Sequence, residues 1–387
     1  MKIFTLIFLL SLQTQAAVWT AENSWDASAE KAYSEFVKNG YVTDIFTNPQ
    51  SEFAGIRTDC ADAMYAARII FAAKNKLPFK VKDPTTTGSF ITNAMGRWDS
   101  LSESERLREF IKYVGDLSNT GTLDDDTYPV TVTKESFTPG IIYLDPGHHA
   151  EMVKSIAENG FIEFIASTSP KMVRDLFSHS NPTHAPLTNL GGFRKWRNPD
   201  QYGVPSASLP AYGMDQFRLA DWKAGVFKTR KLIFQWHEAI RKILRDRPPT
   251  FDERTDVIVE SLCHLFTARV STVKYSWQLI HDRGGKCLRG GELDNHSTTM
   301  RDWRIKENFG QLYDLYAWNF KENSLGQGNL FDAEAKLEGC RINYWPEHSA
   351  TLWELLQRMR SGLVESNANY SPAVRWGERA ASGYDCR

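Results

Sequence analysis

Three apolar segments separated by short turns, between residues 137 and 170, restrict the fold of this chain most strongly. Pro139-Gly140 precedes the apolar run IIYL, and Asp145-Pro-Gly separates that run from HHAEMVKSI. Glu158-Asn-Gly then separates HHAEMVKSI from FIEFIAS. Turns this short join neighbouring antiparallel strands, so the sequence predicts an antiparallel meander. The later segment GGFRKWR is predicted to add another strand.

A helical segment with a cysteine at its start precedes the meander. In RTDCADAMYAARIIFAAKNKLP, residues 57–78, apolar residues recur at helical spacing and Pro78 ends the pattern. Asp59 lies where a capping carboxylate is expected, so Cys60 falls in the first turn of the helix. Backbone amide dipoles at that position favour a thiolate.

The first residues and the cysteines predict an exported protein. A charged start, the apolar run IFTLIFLLSL and small residues before position 17 are typical of a secretory signal peptide, predicted over residues 1–16. No later run reaches the ~20 apolar residues of a membrane-spanning helix. We expect a periplasmic or extracellular protein that contains disulfides. The candidate disulfide cysteines are the four in the C-terminal third: Cys263, Cys287, Cys340 and Cys386.

An odd number of cysteines leaves at least one thiol unpaired. Cys60 is remote from the other four in sequence and is predicted to be free. Three pairings of the remaining four are open. We predict Cys263–Cys287 and Cys340–Cys386, because these pairs close the shorter loops.

The composition changes near NPDQYGVPSASLP, which suggests a domain boundary. Residues 17–205 are predicted to form an α+β domain and residues 206–387 an α-helical domain. The predicted C-terminal helices cover 213–247, 252–282, 303–321 and 349–361. Net charge of −1 gives no general attraction to nucleic acid. The segment 213–247 has nine Lys/Arg residues against four acidic ones, which suits either a solvated helix face or contact with an anionic wall polymer.

The order of polar residues suits thiol chemistry. A cysteine nucleophile needs a base and a group that orients the base. Cys60 precedes His148 and His149 on the second strand, and Glu163 follows on the third. Neighbouring strand residues point to opposite faces, so one histidine faces the thiol. We predict His149 as the base, with His148 as the alternative. Glu163 is the predicted orienting partner, with Ser167 and Thr168 as alternatives.

Asp59-Cys60-Ala61-Asp62 with its apolar helix and Leu-Pro, PGIIYLDPGHHAEMV, and GFIEFIAS resemble the motifs of the NlpC/P60 cysteine peptidases. The resemblance covers about residues 55–170. It implies a papain-like core and hydrolysis of amide bonds in peptidoglycan peptides, without a cofactor or metal. The helical domain would cap the cleft, or bind the wall or a partner protein.

Other functions are open on the same residues. Ala61-Asp62 and Ile141 differ from the family motif, which favours a catalytically inactive wall-binding or structural protein. An acyltransferase and a transglutaminase-like enzyme are further alternatives. A zinc site built from histidines is also open, but no spacing matches a familiar zinc pattern. Because arginine binds carboxylates and aromatic rings stack, the predicted substrate-binding residues are Asp59, His148, Arg194 and Trp196.

Overall fold

The structure, a computed structural model, describes residues 17–182, 184–224, 229–323 and 333–387, without the side chains of residues 317–323. The predicted signal peptide, residues 1–16, lies outside the described residues. The strands are β1 Lys80–Lys82, β2 Phe90–Thr92, β3 Thr127–Pro129, β4 Ile142–Asp145, β5 His149–Ile156, β6 Ile162–Ala166, β7 Phe177–His179, β8 Gly192–Trp196, β9 Arg341–Trp345 and β10 His348–Thr351. The helices are α1 Ala27–Glu35, α2 Cys60–Lys74, α3 Glu103–Leu117, α4 Leu123–Asp126, α5 Arg230–Leu244, α6 Phe251–Asp282, α7 Gly290–His296, α8 Thr299–Asn323, α9 Glu334–Glu338, α10 Leu352–Arg360 and α11 Pro372–Arg375.

An antiparallel sheet forms the centre of the N-terminal part of the chain. In the described residues its strand order is β3-β8-β4-β5-β6-β7. Strands β4, β5 and β6 are the predicted meander, and the predicted strand GGFRKWR is β8, between β3 and β4. The mixture of helices with an antiparallel sheet confirms the predicted α+β class.

Helix α2 begins where the sequence predicts. The Asp59 side chain accepts hydrogen bonds from the N–H groups of Ala61 and Asp62, and Asp62 accepts one from the N–H of Asp59. This reciprocal capping fixes Cys60 as the first residue of the helix. The alanine-rich face of α2 lets the helix approach the sheet closely, where it packs on residues that include Ala150 and Met152.

Helix α5 covers the opposite face of the sheet. Ile233, Trp236 and Ile240 pack in one cluster with Tyr143 and Phe193 of the sheet. Residues from both sides of the predicted boundary at residue 205 therefore contribute to one core. The helix expected over 213–247 was predicted too long: it begins at Arg230, because the side chain of Thr229 caps it by accepting from the N–H of Leu232.

The remaining C-terminal helices pack around the long helix α6. Helices α6, α8 and α10 correspond to the predicted segments 252–282, 303–321 and 349–361, and they share one hydrophobic cluster. The β9–β10 hairpin was not predicted, and it occupies the first residues of the segment assigned to α10. Among the described residues, none of the helices has the length and apolar character needed to cross a membrane.

The four late cysteines form two disulfides, but the predicted pairing is wrong. The bonds are Cys263–Cys340 and Cys287–Cys386. Packing of β9 against α6 brings Cys340 beside Cys263, and the chain end lies against Cys287, whose N–H donates to the carbonyl of Arg387. Loop length therefore does not decide the pairing. Cys60 is free as predicted, and two disulfides are compatible with an exported protein.

A buried ion pair fixes the start of α8. Asp302 accepts from Nε of Arg269 at 2.7 Å and from Nη2 at 3.2 Å, and both side chains are almost fully buried. The hydroxyls of Thr298 and Ser366 also donate to this carboxylate. The first turn of α8 is thereby attached to α6 and to the C-terminal segment.

We expect Asp302→Asn to lower the free energy of unfolding by about 3 kcal/mol, because the Arg269 guanidinium loses its charge partner inside the protein. Asp314→Asn is a matched control on the same helix, since Asp314 pairs with Arg230 at the surface. Loss of this surface ion pair should lower the free energy of unfolding by less than about 1 kcal/mol. Urea titration of both variants measures the difference, and equal stability of the two variants would contradict this account.

Candidate active site

A cavity of about 440 Å³ opens at the end of the sheet, where the start of β5 and the residues after β6 face α7 and α8. Cys60 at the start of α2 lies in its wall together with both neighbouring histidines. The cavity thus brings together the residues that the sequence proposed as nucleophile and base. Its lining comprises Cys60, His148, His149, Thr168, Ser169, Leu293, Asp294, Ser297, Thr299, Met300, Arg301, Arg304 and Asn367.

The Cys60 thiol is held against the backbone of β5. Burial raises the pKa of Cys60 to about 12, and the charge of Asp59 adds to this effect. Hydrogen bonds from the N–H groups of Ala150 and Ala61 and the charge of Arg304 act in the opposite direction. The backbone hydrogen bonds at the helix start lower the thiol pKa, as the sequence analysis expected, but burial has the larger effect.

His149, the first residue of β5, is buried and neutral. Its Nε2 lies 2.9 Å from Oε1 of Glu151. Burial and the charge of Arg304 lower the pKa of His149 to about 4, although Glu151 opposes this shift. At neutral pH the imidazole is therefore in the form that accepts a proton.

Glu151 is the carboxylate that faces His149, and the sequence analysis missed it. Its Oε1 lies 3.1 Å from Nε2 of His179 as well as near His149, and its side chain is 1% exposed. Burial alone would raise the pKa of Glu151, but interactions with His179 and His149 hold it well below its usual range. A signal was present in the sequence, because residues two apart on a strand share a face, and HAE begins β5.

The structure does not place Glu163 at the site. Glu163 pairs with Ser155, near the other end of β5 from His149, because the strands are antiparallel and Glu163 lies near the start of β6. The hydroxyl of Ser155 donates to Glu163 at 2.8 Å, and Lys154 lies 3.9 Å away. The assignment of Glu163 as the partner of His149 is therefore corrected to Glu151.

The two histidines meet the cavity from different directions. Ala150 and Met152 face the α2 side of the sheet, so by alternation His149 and Glu151 face the α5 side. His149 reaches the cavity because it is the first residue of the strand, at the open end of the sheet. His148 is exposed in the turn before β5 and also lines the cavity. Both histidines therefore line the cavity, and His149 has the Glu151 carboxylate within 2.9 Å.

Two other predicted substrate contacts are structural. Arg194 is buried on β8, where Nε donates to the hydroxyl of Thr127 at 2.7 Å and Nη2 donates to nearby carbonyls. Trp196 is buried and packs edge-on against Tyr65, with ring centroids 5.2 Å apart. Strand β8 is buried along most of its length between β3 and β4, and neither side chain lines the cavity. Asp59 serves as the helix cap described above.

Two arginines from α8 complete the cavity, and the sequence analysis assigned no chemistry to them. Nε of Arg301 lies 3.3 Å from the hydroxyl of Thr168, and Nη2 donates to the carbonyl of Ser169. Arg304 lies one turn further along, with Nη1 3.9 Å from Oε1 of Glu151. Their spacing of three residues puts both on one helix face, which a search for cationic pairs would have found.

Comparisons with known proteins add no relationship to this geometry. No protein-family model matches the chain, and no curated protein or solved structure matches it. In the part of the chain that the structure describes, no group of three or more His, Cys, Asp or Glu side chains is arranged to hold a metal ion. The functional argument therefore depends on the residues of the cavity themselves.

The buried histidine His237 should make the free energy of unfolding depend on pH. Burial lowers the pKa of His237 to about 3, and its Nε2 lies 2.7 Å from the carbonyl oxygen of His184. The folded protein keeps this ring neutral, whereas the unfolded chain binds a proton below about pH 6.5. Stability is therefore lost as the pH falls below that value.

Between pH 7 and pH 5, His237 alone should lower the free energy of unfolding by about 2 kcal/mol. His237→Gln should reduce the pH dependence by that amount. His281→Gln, at an exposed position, is the control and should leave the pH dependence unchanged. Urea unfolding at both pH values measures the effect, and identical pH dependence in wild type and His237→Gln would contradict the assignment.

Proposed function

We propose that this protein is an exported cysteine amidase that hydrolyses amide bonds of peptidoglycan peptides. One observation carries the proposal. The thiol of Cys60 and the imidazole of His149 line the same cavity, and the backbone N–H of Ala150, the residue after His149, lowers the pKa of the thiol. This arrangement brings a candidate nucleophile and a candidate base to one cavity, and Oε1 of Glu151 lies 2.9 Å from Nε2 of that base.

In the first half of the reaction, Sγ of Cys60 attacks the substrate carbonyl carbon and His149 accepts the thiol proton. Glu151 stabilises the imidazolium that forms, since it is ionised and lies beside Nε2. The Asp59 carboxylate accepts from the N–H groups of Ala61 and Asp62. The N–H of Cys60 is then the helix donor nearest to the developing oxyanion.

In the second half, the tetrahedral intermediate breaks its C–N bond and His149 gives its proton to the leaving amine. Water then attacks the thioester carbon and gives a proton to His149. Breakdown of this intermediate releases the carboxylic acid product, and the proton on His149 returns to the Cys60 sulfur. In the free enzyme the thiol is protonated and the imidazole is neutral, so the proton transfer from Cys60 to His149 has to accompany the attack on the substrate carbonyl.

Several features support a peptidoglycan peptide as the substrate. The leader-like sequence and the disulfides are compatible with a protein outside the cytoplasm. Cys60 at the start of a helix, against an antiparallel sheet that carries the histidine, is the arrangement implied by the resemblance to NlpC/P60 peptidases. Hydroxyl, amide and guanidinium groups line the cavity, as recognition of a polar peptide requires.

The role of each polar residue is testable without a known substrate. We expect His149→Ala to slow iodoacetamide alkylation of Cys60 at pH 7 by about 100-fold, because the thiol loses its proton acceptor. Glu151→Gln should slow it by about 10-fold or more. Glu163→Gln and His148→Ala are the matched controls and should change the rate by less than threefold, within about 0.7 kcal/mol.

Peptide mass mapping measures each alkylation rate. Loss of labelling in His148→Ala with normal labelling in His149→Ala would assign the base to His148 instead. Equal rates in all four variants would show that no imidazole assists the thiol, and the amidase proposal would fail.

Hydrolysis of a synthetic stem peptide tests the substrate. Wild-type protein should release new amine and carboxylate termini that mass spectrometry detects, and Cys60→Ala should release none above background. Because Ala at this position keeps the helix cap formed by Asp59, the variant should retain the wild-type unfolding midpoint. Binding of the peptide by both proteins without cleavage would favour a non-catalytic wall-binding function.

A further inference from the structure

Arg304 is a cation in the cavity without a matched anion. Its guanidinium donates no hydrogen bond to any group in the described residues, and its side chain is 16% exposed. The carboxylate within 4 Å is Glu151, at 3.9 Å, which is beyond hydrogen-bond distance. Oε1 of Glu151 is already faced by His149 and His179. The donors of Arg304 are therefore left for a ligand.

Neighbouring charged groups in the cavity do not satisfy this cation. Arg301 carries the same charge and is engaged with Ser169 and Thr168. Asp294 also lines the cavity, but it makes no ion pair with Arg304. An arginine held by a rigid helix, with its planar donor group directed at a polar cavity, suits bidentate binding of a carboxylate.

We propose that Arg304 binds a carboxylate of the substrate next to the bond that Cys60 attacks. This inference rests on the proposed amidase function and adds a substrate class to it: peptides that carry a free carboxylate beside the scissile amide. It also makes the site composite, because the nucleophile comes from α2 and the anion-binding residue comes from α8. Removal of α8 would therefore leave the thiol without its substrate contact.

A carboxylate bound to Arg304 would also raise the pKa of His149. The positive charge of Arg304 contributes to the lowered pKa of His149 after burial. An anion on Arg304 offsets that charge, so the imidazolium formed during attack is less destabilised. The correct substrate would thereby strengthen the base that reacts with it.

A pair of alkylating reagents tests carboxylate binding independently of amidase activity. Iodoacetate and iodoacetamide differ only in a carboxylate against an amide. We expect the iodoacetate-to-iodoacetamide rate ratio at Cys60 to exceed the ratio of a small free thiol by about 10-fold. The pair 3-iodopropionate and 3-iodopropionamide places the carboxylate one methylene further from the sulfur. This pair tests a longer distance between Cys60 and the carboxylate bound by Arg304.

Arg304→Gln should reduce the ratio to that of the free thiol, and Arg304→Lys should retain part of the preference. Lys306→Gln is the matched control, because Lys306 is exposed on the same helix and its loss removes the same charge. The amide reagent serves as the reference in each variant, so changes in thiol reactivity cancel. Absence of a preference in both reagent pairs, or a preference that survives in Arg304→Gln, would overturn the proposal.

The outcome is separable from that of the amidase proposal. Slow labelling by both reagents that does not depend on His149 would overturn the amidase function, and the ratio would still report on Arg304. Conversely, a His149-dependent thiol with no carboxylate preference would leave the amidase function standing and remove this substrate class.

Discussion

A buried carboxylate, Glu151, connects the parts of the molecule that meet at the cavity. It lies on β5 beside His149, it faces His179 of β7, and Arg304 approaches it from α8. An ionised side chain that is 1% exposed is costly unless positive or hydrogen-bonding groups surround it. The stability of the sheet end, the orientation of the candidate base and the position of α8 therefore depend on one another.

The C-terminal helices form part of the cavity wall. Asp302 anchors the first turn of α8 to Arg269 of α6. The adjacent residue, Arg301, binds the segment after β6 through Thr168 and Ser169. Cavity residues from α7 and α8 face Cys60 across the opening. The same buried ion pair that stabilises the helices thus sets where Arg304 can lie.

Much of the sheet could be predicted from local sequence signals, and the site could be predicted only in part. Turn residues and a capping carboxylate act within a few residues of the chain. These local signals predicted the meander, the capped helix at Cys60 and strand β8. The sequence analysis placed His148 and His149 on the second strand, and the structure begins that strand at His149, with both residues lining the cavity.

Features set by packing between distant segments were missed. The disulfide pairs depend on how β9 and the chain end pack near α6, and local spacing gave the wrong pairs. Glu163 was chosen because it lies on the next strand, but antiparallel pairing puts the start of β6 beside the end of β5, away from His149. Arg304 enters the site from more than 150 residues beyond His149 in the sequence, and no local pattern reports that contact.

The most direct test of the central claim is to trap an acyl-enzyme with p-nitrophenyl acetate and locate it by intact-mass and peptide mass spectrometry. The account predicts one acetyl group on Cys60, formed rapidly in wild type, much more slowly in His149→Ala, and lost again by hydrolysis. Acetylation at lysines only, or acetylation of Cys60 at the same rate in both proteins, would contradict a nucleophile activated by its neighbouring histidine.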